Sequence, residues 1–269
     1  MSSRYDCADA QQREAGIALA AEVIARGELV VLPTDTVYGL GADAFIPAAV
    51  TALLAARGGS RSVPPPVLVG SVRAAAALTE SLGPYGQDLI DEFWPGPLTL
   101  IFRASPTLMW DLGDTRGTVA VRMPLHAIAL DLLRRTGPMA VSGASKQGLP
   151  AASVVEEAAA QLGDAVSVYL DGGPGADSVP STILDLTATT PRLLRAGALS
   201  VEALRKVVPV IDLPAHPVTE PEHASPADRR VEEVIAAAQR AERAGPPKAA
   251  EPHPLAGRQS PVPDPGPGA

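Results

Sequence analysis

Apolar positions recur at helical spacing near the start of the chain. Ile17, Ala20, Ala21 and Ile24 predict an amphipathic helix over 11–26 that Gly27 ends. The pattern then becomes an unbroken apolar run, Leu29-Val30-Val31-Leu32, which predicts a buried strand. Pro33 stops that strand because it has no amide proton to give to a ladder. After a loop over 34–41, Pro47 suits the first turn of a helix through Val50, Leu53 and Leu54 to about Ala56. Short apolar strands follow at 67–69, 98–102, 118–122, 138–141, 166–170 and 181–186. Helical patterns occupy 71–82, 85–93, 153–162 and 201–207, and a further helix opened by Pro124 runs to Arg135.

Beyond about residue 213 the pattern dissolves. The last 57 residues hold 12 of the 28 prolines and almost no large apolar side chains. Such a segment cannot bury enough surface to offset its ordering entropy. The expectation is a domain over 10–210 and a disordered tail over 213–269, in which Val231, Val234 and Ile235 support a short helix within 228–243.

Composition narrows the picture. Apolar residues make up 46% of the chain and aromatics only 3%, so alanine, valine and leucine must fill the core. A net charge of -8 argues against a protein that coats nucleic acid, an affinity that comes from neutralising many phosphates. Cys7 is the only cysteine, which excludes an intrachain disulfide and fits a reducing compartment. With no signal-type stretch at the amino terminus and no run of membrane-spanning length, the expectation is a cytoplasmic protein. His126 has no second histidine at metal-binding spacing, so no metal site and no role is assigned to it.

Candidate chemistry gathers where strands end. Thr34, Asp35, Thr36 and Tyr38 follow the first strand directly, with Gly39 and Gly41 able to admit a close approach of backbone or ligand. In open α/β sheets ligands sit at such strand ends, although the same residues also suit a capped turn. The loop Arg57-Gly58-Gly59-Ser60-Arg61 fits a flexible connection as well as a presentation of guanidinium groups to phosphate or carboxylate. Small polar residues, 142–148, again follow the strand at 138–141.

Taken together, Pro33-Thr34-Asp35-Thr36-Val37-Tyr38-Gly39-Leu40-Gly41, Trp94-Pro95-Gly96-Pro97-Leu98-Thr99, Val121-Arg122-Met123-Pro124, Ser181-Thr182-Ile183 and Leu194-Arg195-Ala196-Gly197 occur in the order seen in YrdC-like proteins. Over about residues 10–210 the chain resembles the short, single-domain threonylcarbamoyl-AMP synthases. The resemblance implies a twisted mixed α/β sheet with helices packed around a concave pocket. It also implies threonine, bicarbonate or CO2, and ATP with magnesium as substrates, with no permanently bound cofactor. In that family the threonine amine is carboxylated and the carbamate attacks the α-phosphate, releasing pyrophosphate. The product feeds tRNA modification, so partner proteins of that process are implied as well. By position, Thr34, Thr36 and Thr182 correspond to threonine-binding residues. Arg57, Ser142, Ser145, Ser181 and Arg195 correspond to nucleotide-binding ones, and Arg122 contributes pocket charge.

The chain also departs from the family. The family's Lys-x-Arg motif is here Arg57 and Gly59, and its Ser-x-Ala-Asn loop is Ser142-Gly143-Ala144-Ser145. Arginine does not reproduce the reach of lysine, and glycine supplies no charge. Arg57 and Arg61 are the expected catalytic cations, Arg61 by swinging in from its glycine-rich loop, and Lys146 lies beside the substituted serine. Two other readings stand next to the synthase: a carbamoyl transferase acting on another acceptor, and a non-catalytic protein that binds nucleotide, RNA or a partner.

Overall fold

The computed structural model describes residues 2–175, 179–208 and 211–212. The tail expected over 213–269, with its helix at 228–243, lies outside the described residues.

Among the described residues the strands are β1 (Ser3–Asp6), β2 (Val30–Leu32), β3 (Gly39–Asp43), β4 (Val67–Leu68), β5 (Leu98–Arg103), β6 (Thr118–Arg122), β7 (Met139–Gly143), β8 (Val168–Asp171), β9 (Thr182–Asp185) and β10 (Arg192–Arg195). They form one sheet in the order β1-β8-β2-β3-β7-β4-β6-β5-β9-β10. The sheet is mixed: β2 runs antiparallel to β3, and β3 antiparallel to β7, whereas β4 with β6 and β5 with β9 are parallel. The α/β expectation with a mixed sheet is borne out.

Seven α-helices pack around the sheet among the described residues: α1 (Ala10–Ala25), α2 (Pro47–Arg57), α3 (Val72–Leu78), α4 (Gly83–Phe93), α5 (Ala127–Thr136), α6 (Val155–Leu162) and α7 (Val201–Arg205). Strand alternation sorts side chains into two cores. Val30, Leu32, Met139, Val141, Val168 and Leu170 pack with Ile17, Ile24, Leu132 and Leu133 of α1 and α5. Leu29, Val31, Leu40 and Ala140 join the larger core with Leu53 of α2, Leu89 and Ile90 of α4 and Leu204 of α7. Each fully buried Val or Leu contributes about 1.5–3 kcal/mol.

Several elements differ from their sequence reading. Residues 39–41, read as loop, begin β3. The room beside Gly39 and Gly41 is taken by neighbouring side chains, since added Cβ atoms would lie 2.7 Å from Val141 Cγ1 and 2.5 Å from Met139 Cε. Pro124 does not open α5: the helix starts three residues later, after His126 in an extended conformation. The helix expected over 71–82 stops at Leu78, because Thr79 turns extended and bridges Ala104. β1 carries no apolar pattern that would predict it, and it adds residues 3–6 to the edge of the sheet beside β8.

Candidate active site

Residues 33–38 leave the end of β2 and return as β3. Within this turn the Thr34 hydroxyl donates to the Val37 carbonyl at 2.7 Å, accepts from the Thr36 amide at 3.2 Å and lies 3.1 Å from the Thr36 hydroxyl. Both threonines are buried. Arg122, the last residue of β6, organises the turn from across the sheet. Its Nη1 donates to Thr36 Oγ1 at 2.9 Å, its Nη2 to Asp35 Oδ1 at 2.5 Å and its Nε to the Gly96 carbonyl at 3.0 Å. Burial pushes the Arg122 pKa below the usual guanidinium value, and Asp35 pulls it back. The guanidinium stays charged at neutral pH.

Tyr38 anchors the far side of the same turn. Its hydroxyl donates to the Gly173 carbonyl at 2.6 Å and accepts from the Gly172 amide at 3.0 Å, tying the glycine-rich segment after β8 to the motif. Burial raises the tyrosine pKa to about 12, so it remains a neutral phenol.

Residues 96–99 link this turn to a second group. The Gly96 carbonyl receives Arg122, the Pro97 carbonyl receives the Thr182 amide at 3.0 Å, and the Thr99 hydroxyl lies 2.8 Å from Ser181 Oγ. Arg195 from β10 donates through Nε to the Ser181 carbonyl and through Nη2 to Ser181 Oγ, both at 3.0 Å. Gly197 explains why a glycine follows: a Cβ there would sit 2.3 Å from the Pro180 carbonyl oxygen. Thr182 is fully buried, its hydroxyl donating to the Leu199 carbonyl at 2.7 Å and accepting from the Leu199 amide at 3.0 Å. Those bonds make Thr182 a fastener of the 197–199 segment.

The third group follows β7. Ser142 pairs in register with Leu40, and the Ala144 amide donates to the Tyr38 carbonyl at 2.7 Å, which sets the 142–145 segment against the first turn. Arg57, at the end of α2, donates from Nε to the Ser145 carbonyl at 3.0 Å. Two of the three substituted motif positions are therefore in contact. Arg61 lies apart, about half exposed and paired at 2.6 Å with Asp111 of the loop before β6. Lys146 is exposed, and its amide donates to Gln161 Oε1 at 2.9 Å.

The structure thus joins Thr34, Thr36 and Arg122 in one network, Ser181 and Arg195 in a second that residues 96–99 link to it, and Arg57 with Ser145, beside Ser142, in a third set against the Thr34–Tyr38 turn. Sequence reasoning missed Asp35 as the counter-ion of Arg122, and the Gly96 carbonyl as its second anchor. Asp35 stands between the threonines among the candidate residues, but nothing local to the sequence pairs it with β6.

The family model described as "Telomere recombination", covering Sua5, YciO and YrdC, matches residues 22–197. The chain belongs to this family. A Mycobacterium leprae relative carrying the threonylcarbamoyl-AMP synthase name is 52% identical over 211 residues, covering 78% of this chain and 96% of its own length. The Pyrococcus abyssi threonylcarbamoyl-AMP synthase is 36% identical over 193 residues, 71% of this chain and 57% of that protein. The structure of P. abyssi Sua5 complexed with L-threonine superposes with a TM-score of 0.75 at 30% identity, covering 90% of this chain and 78% of that one. No helix among the described residues is long and apolar enough to cross a membrane. The Sua5 and YciO likeness accords with the mixed sheet.

Proposed function

We propose that this chain is a threonylcarbamoyl-AMP synthase of the cytoplasm that joins threonine, bicarbonate or CO2, and MgATP, releases pyrophosphate, and supplies tRNA modification. The observation that carries the reading is the buried Thr34–Thr36–Arg122–Asp35 network at the strand end. It occurs in a chain 52% identical to a relative of that name.

In this reading Thr34 and Thr36 hold the amino acid, with the Thr36 hydroxyl preset by Arg122. Ser142, Ser145, Ser181, Arg57 and Arg195 hold the nucleotide phosphates. Magnesium enters with ATP as part of the substrate. A carbamate oxygen attacks the α-phosphorus while the bond to pyrophosphate breaks. Charge spreads over the phosphate oxygens as this happens, and fixed cationic donors stabilise it. Arg57 stands in for the family's lysine. Arg61 replaces the charge missing at Gly59 by leaving Asp111, and Lys146 adds charge at the rim. Loss of one such donor costs about a hundredfold in rate, so the compensation is measurable.

The test is pyrophosphate release by purified protein with MgATP and bicarbonate, with and without threonine. Threonine-dependent release is expected. Threonine-independent ATP turnover would favour another carbamoyl or acyl acceptor, and a folded protein that binds nucleotide without turnover would favour a binding role.

A further inference from the structure

Two side-chain atoms among the described residues are buried without a hydrogen-bond partner: Asp35 Oδ2 and His126 Nδ1. The first belongs to the candidate site. Asp35 lies in the turn after β2, with its other oxygen on Arg122. His126 is the extended residue that precedes α5, four positions after Arg122. The Pro33 and His126 rings flank one point beside Gly172, where a Cβ would lie 2.7 Å from Pro33 and 3.5 Å from His126 Cε1. Asp35 also acts electrostatically on His126, opposing the burial that lowers the imidazole pKa.

A buried carboxylate oxygen can only accept a hydrogen bond, whereas Nδ1 donates in one of the two neutral tautomers of imidazole. The two orphans are therefore complementary in chemistry. Buried polar groups are seldom left unpaired unless they serve the site around them.

We propose that His126 is a positioning residue of the amino-acid site, its Nδ1–H directed to Asp35 Oδ2, straight or through one buried water. This extends the relay Thr36–Arg122–Asp35 to the start of α5 and rests on the synthase reading above. Held at both oxygens, Asp35 fixes Arg122, and Arg122 fixes the Thr36 hydroxyl. Asp35 reaches Ser181 and Arg195 only indirectly, through Arg122 and residues 96–99, so the larger effect falls on threonine.

The test uses two substitutions that separate the ring nitrogens. H126N places an amide nitrogen where Nδ1 stands, whereas H126Q reaches the position of Nε2 and leaves that of Nδ1 empty. In variants whose thermal unfolding matches wild type, H126Q lowers kcat/KM for threonine about tenfold while KM for ATP changes less than about twofold. H126N recovers most of the loss. Equal losses in both variants, or parallel shifts for threonine and ATP, would overturn the proposal. A readout without turnover is nitrogen NMR of the His126 imidazole, with H126N identifying the signal. The Nδ1–H tautomer is expected in wild type and its loss in D35N, and an Nε2–H tautomer in wild type sinks the proposal. A wild-type protein lacking threonine-dependent pyrophosphate release would overturn the synthase reading while leaving the NMR result to judge His126.

Discussion

Replacing Arg122 with methionine removes three donors at once: those to the Gly96 carbonyl, the Thr36 hydroxyl and the Asp35 carboxylate. The side chains of Arg122 and Asp35 are only 7% and 12% exposed, so water cannot take over the role of the guanidinium. A buried carboxylate left without its cation costs about 3–5 kcal/mol. The ion pair itself is less valuable than that figure, because burial opposes the charge on Arg122 even with Asp35 present. R122M is therefore expected to lose about 3–5 kcal/mol of unfolding free energy, and R122M/D35L to regain a large part of it by discarding the stranded charge. Urea unfolding of the three proteins gives both numbers. A loss below about 1 kcal/mol for R122M, or a double variant no more stable than R122M, would refute the reasoning. The same substitution frees Thr36, so threonine binding should weaken more than ATP binding.

Other outcomes follow from the same geometry. A Cβ at Gly59 would meet Leu54 at 3.5 Å, an ordinary contact, so G59R fits and restores a charge to the substituted loop. Because Arg61 replaces that charge in the proposed mechanism, steady-state pyrophosphate release should show R61A losing about tenfold or more in kcat and R61A/G59R recovering most of the loss. G197A would press a methyl against the Pro180 carbonyl oxygen at 2.3 Å, displacing Ser181 and Arg195. It should cost at least about 1–3 kcal/mol in thermal unfolding and weaken nucleotide binding measured by calorimetry. Tyr38 and Tyr169 have folded pKa values raised by burial to about 12 from 10.0. Their share of stability is whole below the unfolded value of about 10 and is lost as pH rises through about 12, so Y38F and Y169F should each flatten unfolding free energy across that window.

The parts of this fold that were legible in the sequence are those whose cause is local. Apolar runs marked β2 and β5, helical spacing marked α1, and proline placed the first turn of α2. β3 was hidden because Gly39 and Gly41 have low strand propensity, and the side chains of Met139 and Val141 that need their space come from a strand a hundred residues away. β1 is short, polar and at the edge, where its pairing with β8 rather than its composition defines it. At the candidate site, Thr34 and Thr36 were singled out by their place after a strand, and Arg122, Ser181 and Arg195 by the family resemblance. Their pairings were not, because the Asp35–Arg122 pair and the Gly96 anchor join segments that only the sheet order brings together. His126 looked like an ordinary helix-start residue, and only the burial of its Nδ1 singles it out.

The central claim is most directly tested by supplying isotopically labelled bicarbonate with threonine and MgATP and following the products by mass spectrometry. The account predicts an adenylate whose mass equals threonylcarbamoyl-AMP with one labelled carbon, formed in proportion to pyrophosphate and absent when threonine is omitted. Pyrophosphate release with the label in any other adenylate, or no adenylate from a folded protein saturated with all three substrates, would contradict it.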